Sequence, residues 1–72
     1  MRFMERVQFK PECKLIGENG NIFNLIAIAK RTLIENGKRQ EADELVSRII
    51  EKGEAGSYEE ALTIIMDYVD VV

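Results

Sequence analysis

The 72-residue sequence has no histidine, no tryptophan, a single cysteine and a single proline. Each scarcity removes a class of explanation. With Cys13 alone no internal disulfide can form, and without histidine there is no Cys/His set at zinc-ligand spacing. A core of this size supplies only about 3–5 kcal/mol of net stability unless a disulfide, a metal or a partner subunit adds to it. Two of those supplements are missing, which leaves association with another chain. The hydrophobic share of 46% is high for so unfavourable a surface-to-volume ratio. No run approaches the roughly 18 apolar residues that cross a bilayer, and the first dozen residues alternate charged with apolar groups instead of forming a signal peptide. The expected setting is reduced and cytoplasmic, with no membrane partner.

Catalysis has equally little to draw on. Cys13 lacks a histidine to act as its base, and its place beside Pro11 in an extended segment predicts a buried, unreactive thiol. Glu59, Thr63 and Asp67 at i, i+4 and i+8, with Asp70 nearby, offer oxygen atoms to a hard cation. A solvated helix face explains the same residues. The expectation is therefore no enzyme, no catalytic residue, no cofactor and no metal site.

What the chain does have is charge, unevenly spread. Residues 1–40 hold eight Lys/Arg against four acids, a net +4; residues 41–72 hold two against nine, a net −7, and the two sum to the −3 of the whole. Such a split suits an anionic partner for the first half or attraction between copies, although halves of a sequence are not faces of a fold.

Hydrophobic spacing supplies the architecture. "MRFMERVQFKP", 1–11, alternates weakly around Val7 and Phe9 before Pro11, and reads as an N-terminal arm or an edge strand. "ECKLIG", 12–17, is a short strand candidate. Ile22, Leu25, Ile26, Ala29 and Leu33 then fall at i, i+3, i+4, i+7 and i+11, predicting a helix over about 22–36 that Gly37 closes. Ala42, Leu45, Val46, Ile49 and Ile50 repeat the pattern over about 39–52, ending at Gly53, with Glu44 placed to pair with Arg48 at i, i+4. "SYEE" announces a third helix, about 58–68, with Ser57 as N-cap and Glu60 completing a capping box. Tyr58, Ala61, Leu62, Ile65 and Val69 form its apolar face. "YVDVV" changes period and predicts a second strand over about 68–72, paired with 12–17. The fold class is α+β: a short two-stranded sheet plus three packed helices in one small domain, 12–72.

Gly17, Asn19, Gly20 and Asn21 crowd the stretch "KLIGENGNIF". A phosphate cradle would need a lysine and a hydroxyl just after the second glycine, and here Gly20 is followed by Asn21 and Ile22. The Gly-x-Gly-x-x-Gly dinucleotide spacing fails as well. A strand-to-helix corner asks for less: Asn19-Gly20 for positive φ, and Asn21 as helix cap.

Those residues also carry a resemblance. "CKLIGENGNIFNLI", then "ENG", "GSYEEAL" and "MDYVDV", resemble a group of small bacterial and phage-borne proteins with the pattern Lys-Leu-x-Gly-x-Asp/Asn-Gly-Asn-x-Phe and a Tyr-Val-Asp/Glu-Val end. The resemblance covers roughly 13–71 and rests on Lys14, Gly17, Gly20, Asn21 and Phe23. It implies a common fold and a mobile-element context. The group has no assigned activity, so the resemblance implies no catalytic residue.

The sharpest functional expectation comes from the first helix. At 100° per residue Ile22, Leu25, Ile26, Ala29 and Leu33 form one apolar lobe, while Phe23, Ala27 and Ile34 form a second. So short a chain has difficulty covering both. Phe23, Ala27 and Ile34 are therefore the expected partner interface of a protein-interaction module that self-associates, a homodimer being favoured, with docking to another protein the related case. The competing expectation is a nucleic-acid-binding accessory protein whose anion contacts are Lys30, Arg31, Lys38 and Arg39, at the corner between helices one and two. Against it stand a pI near 4.9 and few aromatic residues for stacking.

Overall fold

A computed structural model describes residues 10–72. The expected arm or edge strand therefore falls almost wholly on residues 1–9, outside the described part. The elements run β1 (Glu12–Cys13), α1 (Ile22–Glu35), α2 (Arg39–Val46) continuing into a π turn (Ser47–Glu51), α3 (Tyr58–Met66) and β2 (Asp70–Val71). This is the expected α+β arrangement of two short strands and three helices.

β1 and β2 pair in parallel, with Glu12 opposite Asp70 and Cys13 opposite Val71. The ladder begins where the Asp70 N–H donates to the Pro11 carbonyl (2.9 Å), a place where proline's missing donor costs nothing. It ends where the Leu15 and Ile16 amides both reach the Val72 carbonyl. Both strands are shorter than the spans 12–17 and 68–72 expected for them. Tyr68 and Val69 are drawn into the turn that ends α3, their amides donating to the Ile65 carbonyl, so β2 starts two residues later than its period indicates.

α1 ends in a full Schellman turn. The Lys38 amide bonds the Leu33 carbonyl, the Gly37 amide bonds the Ile34 carbonyl, and Gly37 takes φ +74°. This places Lys38 at the start of α2, where it supplies no side-chain cap. α2 does not stay α-helical to its end. The Lys52 amide reaches back five residues to the Ser47 carbonyl, and the Glu54 amide six residues to the Arg48 carbonyl, before Gly53 closes the turn at φ +62°. That one-residue widening is a π bulge. It departs from the uniform helix expected over 39–52, and its effect is on Ile49 and Ile50. Ala42 and Leu45 are fully buried, Ile49 half-buried, and Ile50 49% exposed, so the apolar face laid out at 100° per residue does not run to the helix end.

The core joins all elements. Cys13 and Leu15 come from the first strand segment, Leu25, Ile26, Ala29 and Leu33 from α1, Ala42 and Leu45 from α2, Ile64 and Ile65 from α3, and Val69 from the final turn. Ala29 and Ala42 have no exposed surface, and their small side chains let α1 and α2 approach closely. Among the described residues no polar or charged side chain is buried. No helix of the described residues is long and apolar enough to cross a membrane.

Candidate interaction surface

The first lobe of α1 is the buried one: Leu25, Ile26, Ala29 and Leu33 enter the core. The second lobe faces water. Phe23 is 65% exposed and Ile34 36% exposed, and Ala27 is exposed between them. The two lobes of α1 thus differ sharply: Leu25, Ile26, Ala29 and Leu33 are covered, and Phe23, Ala27 and Ile34 are not.

Phe23 does not stand alone. The N-terminus of α1, the π turn and the start of α3 converge around an open apolar groove of about 320 Å³ lined by Ile22, Phe23, Ile26, Ile50, Tyr58 and Ala61, among others. Ile50 reaches it because the π turn sets it off the α2 face, and Tyr58, 44% exposed, because it is the first residue of α3. Ala27 and Ile34 are not among the lining residues; they extend the apolar surface away from the groove along α1. The stripe of Phe23, Ala27 and Ile34 is thus one flank of a wider surface. Its other flank, Ile50 with Tyr58, was hidden from helical periodicity by the bulge and by the distance in sequence between α1 and α3.

The Gly/Asn loop before α1 frames the same groove as structure. The Asn21 side chain accepts from the Phe23 amide (2.9 Å) and caps α1, the Asn19 side chain accepts from the Asn21 amide (2.9 Å), and the Asn24 amide group donates to the Asn19 carbonyl (2.9 Å). The Tyr58 hydroxyl donates to the Gly20 carbonyl (2.7 Å), tying the loop to α3. The corner expected from sequence is present, with one correction: its left-handed glycine is Gly17, φ +91°, and not Gly20. At the start of α3, Ser57 caps through its hydroxyl, accepting from the Glu60 amide (3.2 Å). The Glu60 carboxylate closes onto the Gly56 amide and not the Ser57 amide of a standard capping box.

The expected cation contacts lie on α1 and at the start of α2. Lys30, Arg31 and Arg39 are exposed and Lys38 half-buried. Lys30 and Arg31 point about 100° apart on α1. Exposed Glu35 lies between Arg31 and Lys38 in sequence and half-buried Glu41 two residues after Arg39, and none of the four cations forms a salt bridge with another described residue. Arg48, by contrast, is engaged, though not with Glu44. It donates to Glu54 Oε1 (2.9 Å) and to the Tyr68 hydroxyl (3.2 Å), and lies 3.5 Å from Asp67 Oδ2. Hydrogen bonding to Tyr68 and then to Glu54 holds its guanidinium above the ordinary arginine pKa. The i, i+4 partner loses because the π turn rotates Arg48 toward the loop after Gly53 and the turn before β2.

The Cys13 thiol is buried, with the Thr32 hydroxyl 3.6 Å from its sulfur. Thr63 bonds the Glu59 carbonyl of its own helix (3.0 Å). Among the described residues no group of three potential metal ligands converges. Comparison of the chain with protein-family models, with curated proteins and with solved structures finds no match.

Proposed function

We propose that the protein is a small non-enzymatic interaction module that self-associates through the Phe23 face of α1. The observation that carries this is the 65% exposure of Phe23 at the mouth of an apolar groove, in a domain whose size leaves little stability to spare. Burying one phenylalanine is worth about 1.5–3 kcal/mol. A dimer repeats that gain on each side of a two-fold interface. Phe23, Ala27 and Ile34 are too few to reach the roughly 800 Å² per partner of a stable interface, so Ile50 and Tyr58 belong to it as well. The resemblance to small bacterial and phage-borne proteins is compatible with such a role, and the lone, buried cysteine suits a reducing cytoplasm.

Sedimentation equilibrium tests the reading. The wild-type mass should rise above 8.2 kDa with concentration, and Phe23→Asp should hold it there. A second reading is favoured by the exposure of Lys30, Arg31 and Arg39 without ion pairs to other described residues: an accessory protein that contacts nucleic-acid phosphates. Retention on a polyanion column at neutral pH, fading with salt and lost in Lys30→Glu/Arg31→Glu, would support that reading over the first.

A further inference from the structure

The tripeptide Glu-Asn-Gly occurs twice, at 18–20 and at 35–37. Asparagine followed by glycine is the pairing most open to spontaneous deamidation, because glycine has no Cβ to hinder its own amide nitrogen as that nitrogen closes on the asparagine side chain. The same glutamate precedes both pairs, so the unfolded chain offers two nearly equal substrates. A difference between Asn19 and Asn36 in the native chain then comes from the fold.

Both asparagines are exposed, Asn19 in the loop before α1 and Asn36 at its C-terminal end. Their hydrogen bonds differ. The Gly37 amide, which would be the nucleophile, donates to the Ile34 carbonyl (3.0 Å), and Asn36 Nδ2, the leaving group, donates to the Thr32 carbonyl (2.7 Å). Ring closure at Asn36 requires both bonds to break. At Asn19 neither group is held: among the described residues the Gly20 amide and Asn19 Nδ2 have no hydrogen-bond partner. The atom that is bonded is Asn19 Oδ1, which accepts from the Asn21 amide (2.9 Å). Negative charge gathers on this oxygen as its carbon is attacked, and a donor already in place stabilises it. The same bond closes an Asx turn, which folds the side chain back over the Asn19–Gly20 peptide.

We propose that Asn19 is a site of spontaneous deamidation and that the fold protects Asn36. The Gly20 nitrogen gives its proton to hydroxide and forms a bond to Asn19 Cγ, the Cγ–Nδ2 bond breaks, and Nδ2 leaves as ammonia after taking a proton from water. Water then opens the resulting succinimide ring at either carbonyl, leaving aspartate or isoaspartate in place of the asparagine. The two products differ in what they do to the groove. Aspartate keeps the backbone and still presents an oxygen to the Asn21 amide. Isoaspartate carries the chain through the former side chain and adds one atom to the backbone before the Gly20 nitrogen. That displaces the Gly20 carbonyl from the Tyr58 hydroxyl, now 2.7 Å away, and the loop lets go of α3. The chemistry is the same whether or not the chain self-associates.

Peptide mapping of the full chain, aged at mildly alkaline pH in buffer and in parallel in guanidinium chloride, tests this. Cleavage after lysine and arginine separates Leu15–Lys30 from Thr32–Lys38, and fragmentation places the exchange of NH2 for OH on a single asparagine. In denaturant the two sites should convert at similar rates. In the folded chain Asn36 should fall behind Asn19 by about tenfold or more, the effect of two hydrogen bonds of ordinary net strength. Gly20→Ala, whose Cβ would make only an ordinary contact with the Tyr58 hydroxyl, should slow Asn19 and leave Asn36 unchanged. An isoaspartyl-specific carboxyl methyltransferase should label the aged wild type, and the labelled fraction should show shifted Ile22 methyl signals beside unshifted Ile64. Conversion of Asn36 as fast as Asn19 in the folded chain would overturn the proposal, as would an Asn19 that converts only in denaturant. Isoaspartate at this position with Ile22 undisturbed would uphold the site and refute its effect on the groove.

Discussion

The Tyr58 hydroxyl donates to the Gly20 carbonyl across 2.7 Å and 38 positions of sequence. Through this bond the loop that starts α1 and the residue that starts α3 hold each other, and the groove beside Phe23 keeps its shape. Because the bond is exposed, water replaces the lost donor in Tyr58→Phe, and the expected loss of stability is about 0.5–1 kcal/mol. The urea midpoint checks the stability. Larger chemical-shift changes at Ile22 than at Ile64 would show that the loss is local to the groove.

The same loop makes a prediction about its two glycines. A Cβ at Gly17 would meet nothing within 4 Å, yet its φ of +91° strains any L side chain, so Gly17→Ala should cost about 1 kcal/mol or somewhat more. At Gly20 a Cβ would lie 3.5 Å from the Tyr58 hydroxyl, an ordinary contact, and Gly20→Ala should stay within about 0.5 kcal/mol of wild type. Denaturant midpoints of the two variants check the order. A costlier Gly20 would contradict the corner as described.

Arg48 holds the π turn to the C-terminal turn through Glu54, Tyr68 and Asp67. Removing it in Arg48→Gln should leave the core intact and speed hydrogen exchange at the amides of Asp70 and Val72, which pair with Pro11 and Cys13. A raised pKa means that what arginine contributes is complete below its ordinary value and is lost only as pH climbs through the still higher folded one. Deprotonation of Arg48 therefore removes nothing between neutrality and about pH 9. The exchange ratio of wild type to Arg48→Gln, corrected for intrinsic rates, should be the same at both ends of that range.

Leu45 has no exposed surface and lies in the core with Leu33 and Ile65. Truncating a buried leucine costs about 2–5 kcal/mol, comparable with all the stability a domain of this length commands. Leu45→Ala should be largely unfolded at 25 °C by circular dichroism, whereas Lys30→Ala should unfold with the wild type.

Local patterns made much of this fold legible. The i, i+3, i+4 spacing around Leu25 and Leu45 marks the buried faces of α1 and α2. Gly37 and Gly53 mark their ends, and Asn21 and Ser57 mark the starts of α1 and α3. What was not legible depends on geometry that spacing does not encode. The π turn after Val46 adds a residue to one helical turn and sends Ile50 to the groove and Arg48 to Tyr68, neither of which a 100° period locates. Tyr58 reads as an ordinary apolar-face residue until its hydroxyl is seen on Gly20. Phe23 and Ile34 were separable from the core by helix angle alone. Their union with Ile50 and Tyr58 needed the packing of all three helices.

Sedimentation equilibrium of the wild-type chain and of Phe23→Asp, over the widest concentration range that stays soluble, tests the central claim most directly. The account predicts a wild-type mass that climbs from 8.2 kDa toward twice that value, while the variant, still folded by circular dichroism, stays at 8.2 kDa. A wild type that remains at 8.2 kDa throughout, or a variant that associates as strongly as the wild type, would contradict it.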